Sequence, residues 1–172
     1  MLSILILLPL LGALVIALSG REDDAKHIAL FTTIVTFAAS LVLWIGFDGT
    51  SAEFQFVEQH AWFADAGIGY YLGIDGISLF LVLLTTFLMP ICILCSWQSI
   101  EHRIRAFMIN FLILEAFVIG VFSSLDAIMF YLFFEGMLIP MYLIIGIWGG
   151  TRNLRWCQHP RGWTQRRRPG RN

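Results

Sequence analysis

Apolar residues come in five long runs, at 2–18, 28–47, 77–97, 104–122 and 127–148. Between them lie the segments 21–26, 48–73, 98–103 and 123–126, which hold most of the charge. Each run is near the ~20 residues that a helix rising ~1.5 Å per residue needs to cross ~30 Å of hydrocarbon. The pattern predicts an all-α integral membrane protein with five transmembrane helices, a long link after the second helix and a tight turn between the fourth and fifth. Pro9, Pro90 and Pro140 fall inside runs, so the carbonyls of Leu5, Thr86 and Gly136 lose their helical partners. Gly12, Gly120, Gly136 and Gly146 are expected at close approaches between helices.

Composition points the same way. The chain is 58% hydrophobic and 13% charged, with a mean hydropathy of +0.78, against roughly 25% charged residues in a soluble domain. A water-soluble fold would leave too much apolar surface exposed. The first run follows Met1 with no basic residue before it, so it is expected to be a retained helix and not a signal peptide.

Charge placement supplies an orientation. Arg21 and Lys26 follow the first run, Arg103 and Arg105 follow the third, and seven arginines follow the fifth, accounting for all eleven basic residues. With five crossings these all fall on one side, while Asp48, Glu53, Glu58, Asp65, Asp75 and Asp126 fall on the other. The positive-inside rule then puts the N-terminus outside and the C-terminus in the cytoplasm. Trp44, Trp97, Trp148, Tyr70 and Tyr71 sit where interfacial anchors belong.

Two carboxylates, Glu115 and Glu135, lie inside the fourth and fifth runs. Each costs about 2.5 to 3.5 kcal/mol near the middle of a membrane helix. The short turn makes these helices antiparallel neighbours, and both acids are about 12 to 14 Å from it by helical rise. If their faces converge, repulsion and lost hydration favour at least one proton held at neutral pH, making a carboxyl that can take up and release a proton. No Lys or Arg lies deep within a run, so an ionised Glu135 needs a cation from elsewhere, and the Gly136 carbonyl freed by Pro140 adds an acceptor beside it. The plainer alternative is that each is a neutral acid hydrogen-bonded to a neighbouring helix.

Other candidates carry less. Cys92 and Cys95 are one turn apart and read as packing residues, and Cys157 adds no disulfide or zinc pattern. His27, His60, His102 and His159 lie in links or at ends, where a solvated histidine is the default. There is no phosphate-binding glycine loop, dinucleotide fingerprint or iron–sulfur cysteine spacing, so no redox cofactor and no metal are expected in this chain.

Three stretches, 73–79 (GIDGISL), 95–97 (CSW) and above all 130–142 (FYLFFEGMLIPMY), resemble the subunit M or chain 4 family of NADH-quinone oxidoreductase, respiratory complex I. The resemblance covers residues 1–150. It implies a share in an antiporter-like fold of some fourteen helices in inverted repeats, and a place beside other membrane-arm subunits in the lipid bilayer, with no nucleic-acid partner. By the same resemblance the membrane would be the bacterial inner membrane. NADH, FMN, iron–sulfur clusters and quinone would be bound elsewhere in the complex. It also implies that Glu135 belongs to the proton-translocation pathway and pairs with a lysine on a later helix. Glu115 is carried over as a second relay acid, with Gly136 and Pro140 in structural roles.

Residues 151–172 depart from the family pattern, which continues into further helices. Their arginines, Pro160 and Pro169 suggest an out-of-frame or disordered tail after a frameshift or truncation, or else an authentic basic tail for anionic headgroups. A chain without the later helices is expected to be unable to pump protons alone. Two other readings share these features: a subunit of a cation/proton antiporter or membrane-bound hydrogenase, and a membrane anchor or assembly protein in which both glutamates are structural.

Overall fold

The computed structural model describes residues 1–19, 22–48, 54–63, 68–97, 100 and 103–149. The expectations about Arg21, Glu53, Asp65, His102 and the tail 151–172, with Cys157 and His159, lie outside the described residues, as does the side chain of His60. Five helices form: α1 (Leu2–Ser19), α2 (Glu22–Ile45), α3 (Gly76–Ser96), α4 (Ile104–Ser123) and α5 (Ala127–Trp148). All five are long and apolar enough to cross a membrane, and the chain is a multi-pass membrane protein.

The helices follow the apolar runs closely, except that α2 starts six residues before its run. Polar residues do not stop a helix, and Glu22 and Asp24 suit the positive end of the helix dipole. Asp75 caps α3 by accepting the Ser78 backbone N–H at 2.7 Å. That hydrogen bond holds its carboxyl below the usual carboxylate range. Asp126 caps α5 in the same way through Ile128 N–H, at 3.4 Å.

The long link after α2 contains an antiparallel hairpin, β1 (Gln55–Phe63) and β2 (Ile68–Ile74), which the apolar pattern did not predict. Its register slips between Gln55 and Glu58, where Phe56 takes a φ of 54°. The hairpin is fastened over one end of the bundle. Glu58 pairs with the Met1 ammonium and with Ser3 Oγ, and Ser3 Oγ lies 3.1 Å from the Tyr70 hydroxyl. On its other side the Leu125 N–H donates to the Tyr71 carbonyl at 3.1 Å, tying β2 to the α4–α5 turn.

The opposite end is knitted by cations, in keeping with the one-sided distribution of basic residues. Lys26 Nζ donates to the Trp97 carbonyl at 2.6 Å and lies 5.7 Å from that indole's centroid. Arg105 Nη2 donates to the Ala17 carbonyl at 3.0 Å. Both cations thus meet carbonyls in the last turns of α3 and α1, where the dipole is negative. His27 packs edge-on against Trp97, with centroids 5.2 Å apart.

Helix α4 is the hub and packs against α1, α2, α3 and α5. The glycines explain much of this, with one exception. A Cβ on Gly12 would lie 2.5 Å from Thr32 Cγ2, one on Gly120 2.6 Å from the Phe133 ring, and one on Gly136 2.6 Å from the Phe117 ring. Gly146, expected at a close approach, faces open space, because this end of α5 packs through Ile144 and Trp148 and Gly146, two residues from each, points away from that stripe. We expect Gly12→Ala to cost about 1 to 3 kcal/mol by forcing α1 from α2. Gly146→Ala should be neutral or gain up to about 1 kcal/mol from helix propensity. Thermal unfolding of the purified chain in detergent compares the two, and equal effects would contradict the packing.

Candidate functional site

The seam between α4 and α5 decides where the two glutamates point. Along α5 the residues facing α4 are Met129, Phe133, Gly136 and Pro140, spaced four, three and four apart on one stripe. Along α4 the reciprocal contacts come from Phe117 and Gly120. At about 100° per residue, Glu115, two residues before Phe117, lies on the far side of α4. Glu135, two residues after Phe133, likewise lies well off the seam. The convergence considered from the sequence is therefore not found: interlocked phenylalanine and glycine occupy the ground between the helices, and the carboxylates look away from each other.

Their surroundings differ accordingly. Glu115 continues the buried stripe Met108, Leu112, Glu115, Ile119, every member 0% exposed. Among the described residues neither of its carboxylate oxygens has a hydrogen-bond partner. Glu135 is exposed on the outer face of α5, the least buried of the five helices. Tyr131 lies one turn earlier on the same exposed face, beside Glu135. The stripe Tyr131, Glu135, Leu138, Tyr142 is a helix face bare of neighbours among the described residues. The basic side chains described, Lys26, Arg103 and Arg105, all lie at the end of the bundle, far from the depth of Glu135.

Pro140 is buried on the seam and so serves packing, whatever becomes of the carbonyl it frees at Gly136. Cys92 and Cys95 are free thiols on α3. Among the described residues no three His, Cys, Asp or Glu side chains gather as a metal site. A groove of about 570 Å³ between α1 and α2, lined by Leu11, Val15, His27 and Phe31 among others, is apolar and touches neither glutamate.

The sequence reading missed a set of buried hydroxyls: Thr32, Thr33, Thr36 and Ser40 on α2, and Thr86 on α3. Ser40 Oγ and Thr86 Oγ1 are 2.8 Å apart and join the two helices. The signal was present as the four-residue spacing of Thr32, Thr36 and Ser40. Tyr131 was equally readable, four residues before Glu135.

Comparison with known proteins adds an independent line. The family described as NADH-ubiquinone oxidoreductase chain 4, amino terminus, matches residues 1–121. NADH-ubiquinone oxidoreductase chain 4 of Marchantia polymorpha is 51% identical over 153 residues, 88% of this chain and 31% of that protein. NADH-quinone oxidoreductase subunit M of Rhodobacter capsulatus is 51% identical over 160 residues, 90% of this chain and 31% of that one. The chain thus spans about a third of the length of the curated relatives it matches. A chain in the structure of respiratory complex I from Thermus thermophilus with bound NADH superposes with a TM-score of 0.71 at 24% identity. That superposition covers 86% of this chain and 29% of that one, and shows a shared fold.

The opposed directions of the two acids can be read by labelling. With Cys92, Cys95 and Cys157 replaced by alanine, Glu135→Cys should react readily with a lipophilic maleimide in detergent, and Glu115→Cys should be protected. Equal reactivity would contradict the arrangement.

Proposed function

The chain belongs to the NADH-ubiquinone oxidoreductase chain 4 family, and we propose that it supplies the first helices of a proton-translocating membrane-arm subunit of NADH-quinone oxidoreductase. The observation that carries this reading is Glu135, an acid at mid-helix on the bare outer face of α5, with no cation at its depth among the described residues. Such a group is tolerable in hydrocarbon only as a neutral acid or beside a positive partner. A cation that approaches and withdraws would make it release and regain a proton. In the complex that cation is a lysine on a further helix, seated against the Tyr131–Glu135–Tyr142 face, as the family resemblance implies.

Tyr131 lines the same face one turn away, while Gly136 lets α5 pack tightly enough on α4 to keep Glu135 at a fixed depth. Glu115 is the second acid of the relay. Electron transfer from NADH to quinone, with its flavin and iron–sulfur centres, belongs to other subunits, and neighbouring membrane-arm subunits are the protein partners. The basic end of the bundle faces the cytoplasm of a bacterial inner membrane, which puts Met1 outside.

In the assembled oxidoreductase containing this chain, Glu135→Gln should lower proton pumping per NADH oxidised by about tenfold or more, with assembly intact. Residues 1–172 alone in liposomes should show no proton flux that depends on Glu135. Normal pumping by the assembled Glu135→Gln enzyme would refute the role.

A further inference from the structure

The interior of α1–α4 is two apolar clusters with a polar layer between them. Toward the hairpin end lies a cluster that includes Leu5, Ile6, Leu43, Leu79 and Ile119. Toward the basic end lies a second, including Ala13, Ile16, Ala29, Ile93 and Met108. Of the buried polar side chains in the helices, Thr33, Thr36, Ser40, Thr86 and Glu115 fall between the two, while Ser123 closes α4 at the hairpin end. Counted from the helix ends nearest the hairpin they lie roughly 8 to 18 Å deep, near the middle of the hydrocarbon. Thr86, whose backbone carbonyl Pro90 releases from its helical bond, falls in the same interval.

Glu115 is the carboxyl of that layer, and nothing among the described residues balances it. Lys26, His27, Arg103 and Arg105 belong to the basic end, Glu58, Asp75 and Asp126 to the hairpin end, and Glu135 faces away across the seam. An ionised carboxylate sealed from solvent, with both oxygens unpaired, would cost far more than a neutral one. The hydroxyls around this depth have more acceptors than protons. Ser40 Oγ reaches both the Phe37 carbonyl at 2.7 Å and Thr86 Oγ1 at 2.8 Å, while Thr86 Oγ1 reaches the carbonyls of Val82 and Leu83 at 3.0 and 3.1 Å. Each hydroxyl has one proton and can turn it from one acceptor to another without moving a heavy atom.

We propose that this layer is a proton-binding site distinct from Glu135, in which the Glu115 carboxyl holds an exchangeable proton and the Ser40–Thr86 hydroxyl pair lies on the route by which it exchanges. The proton is carried as an O–H on one carboxyl oxygen and leaves the ionised group when it departs, so no oxidant or reductant enters. The proposal deepens the relay reading above, but the two fail separately, because Glu135→Gln pumping tests one and the state of Glu115 tests the other.

The experiment is infrared absorption of the assembled oxidoreductase in the carbonyl-stretching region of protonated carboxylic acids, in H₂O and after transfer to D₂O. A band is expected that Glu115→Gln removes, that Glu135→Gln leaves in place, and that moves to lower frequency in D₂O. Absence of any band assignable to Glu115, or a band that does not move after prolonged exchange, would overturn the proposal. Should Glu115→Gln fail to assemble, Ser40→Ala combined with Thr86→Val leaves the acid in place and should slow deuteration of the same band several-fold. An unchanged exchange rate would overturn the proposed route.

Discussion

Hydrocarbon does not solvate a carboxylate, and everything of chemical interest in this chain follows from two glutamates set where that solvation is missing. Each costs about 2.5 to 3.5 kcal/mol on insertion. The bundle meets that cost in two different ways. Helix α4 turns Glu115 into the protein interior, at the level of the buried hydroxyls of α2 and α3. Helix α5 turns Glu135 outward, onto a face bare of neighbours among the described residues.

The divergence is a packing result. Phe117 lies on Gly136 and Phe133 lies on Gly120, a reciprocal pair of rings on bare backbone that locks the two helices in one rotational setting. With that setting fixed, helical periodicity sends the acids to opposite sides. Repulsion between them is therefore no part of their chemistry, and each answers to its own neighbours. The basic end, where Lys26 and Arg105 bind the terminal carbonyls of α3 and α1, and the hairpin end, where Glu58 holds Met1 and Ser3, fix the helices along the membrane normal. The acids consequently stay at one depth.

Much of this was legible in the residues. Long apolar runs have no soluble alternative, so all five helices and the shared end of Lys26, Arg103 and Arg105 could be read directly, and so could the two acids as the groups that need explanation. The early start of α2 was not, because hydropathy marks the membrane-embedded part of a helix and Glu22 to Lys26 extend it into the interface. The hairpin was missed because β1 mixes Gln55, Glu58 and Gln59 with aromatics and carries a bulge, which blurs the alternation of a half-buried strand. Gly146 looked like Gly120 and Gly136 in sequence, and only the three-dimensional seam shows that it touches nothing. The direction of each glutamate was hidden for the same reason: periodicity relates residues within one helix but does not say which stripe meets a neighbour.

The central physical claim is that Glu115 is a polar group kept in an apolar interior at a cost to stability. Unfolding of the purified chain in detergent, compared with Glu115→Met, measures that cost most directly, since methionine preserves length and flexibility while removing the unpaired oxygens. The account expects the variant to be more stable by about 1 to 3 kcal/mol. A variant less stable than the parent would show that the carboxyl is a structural bond in the bundle, and would contradict the account.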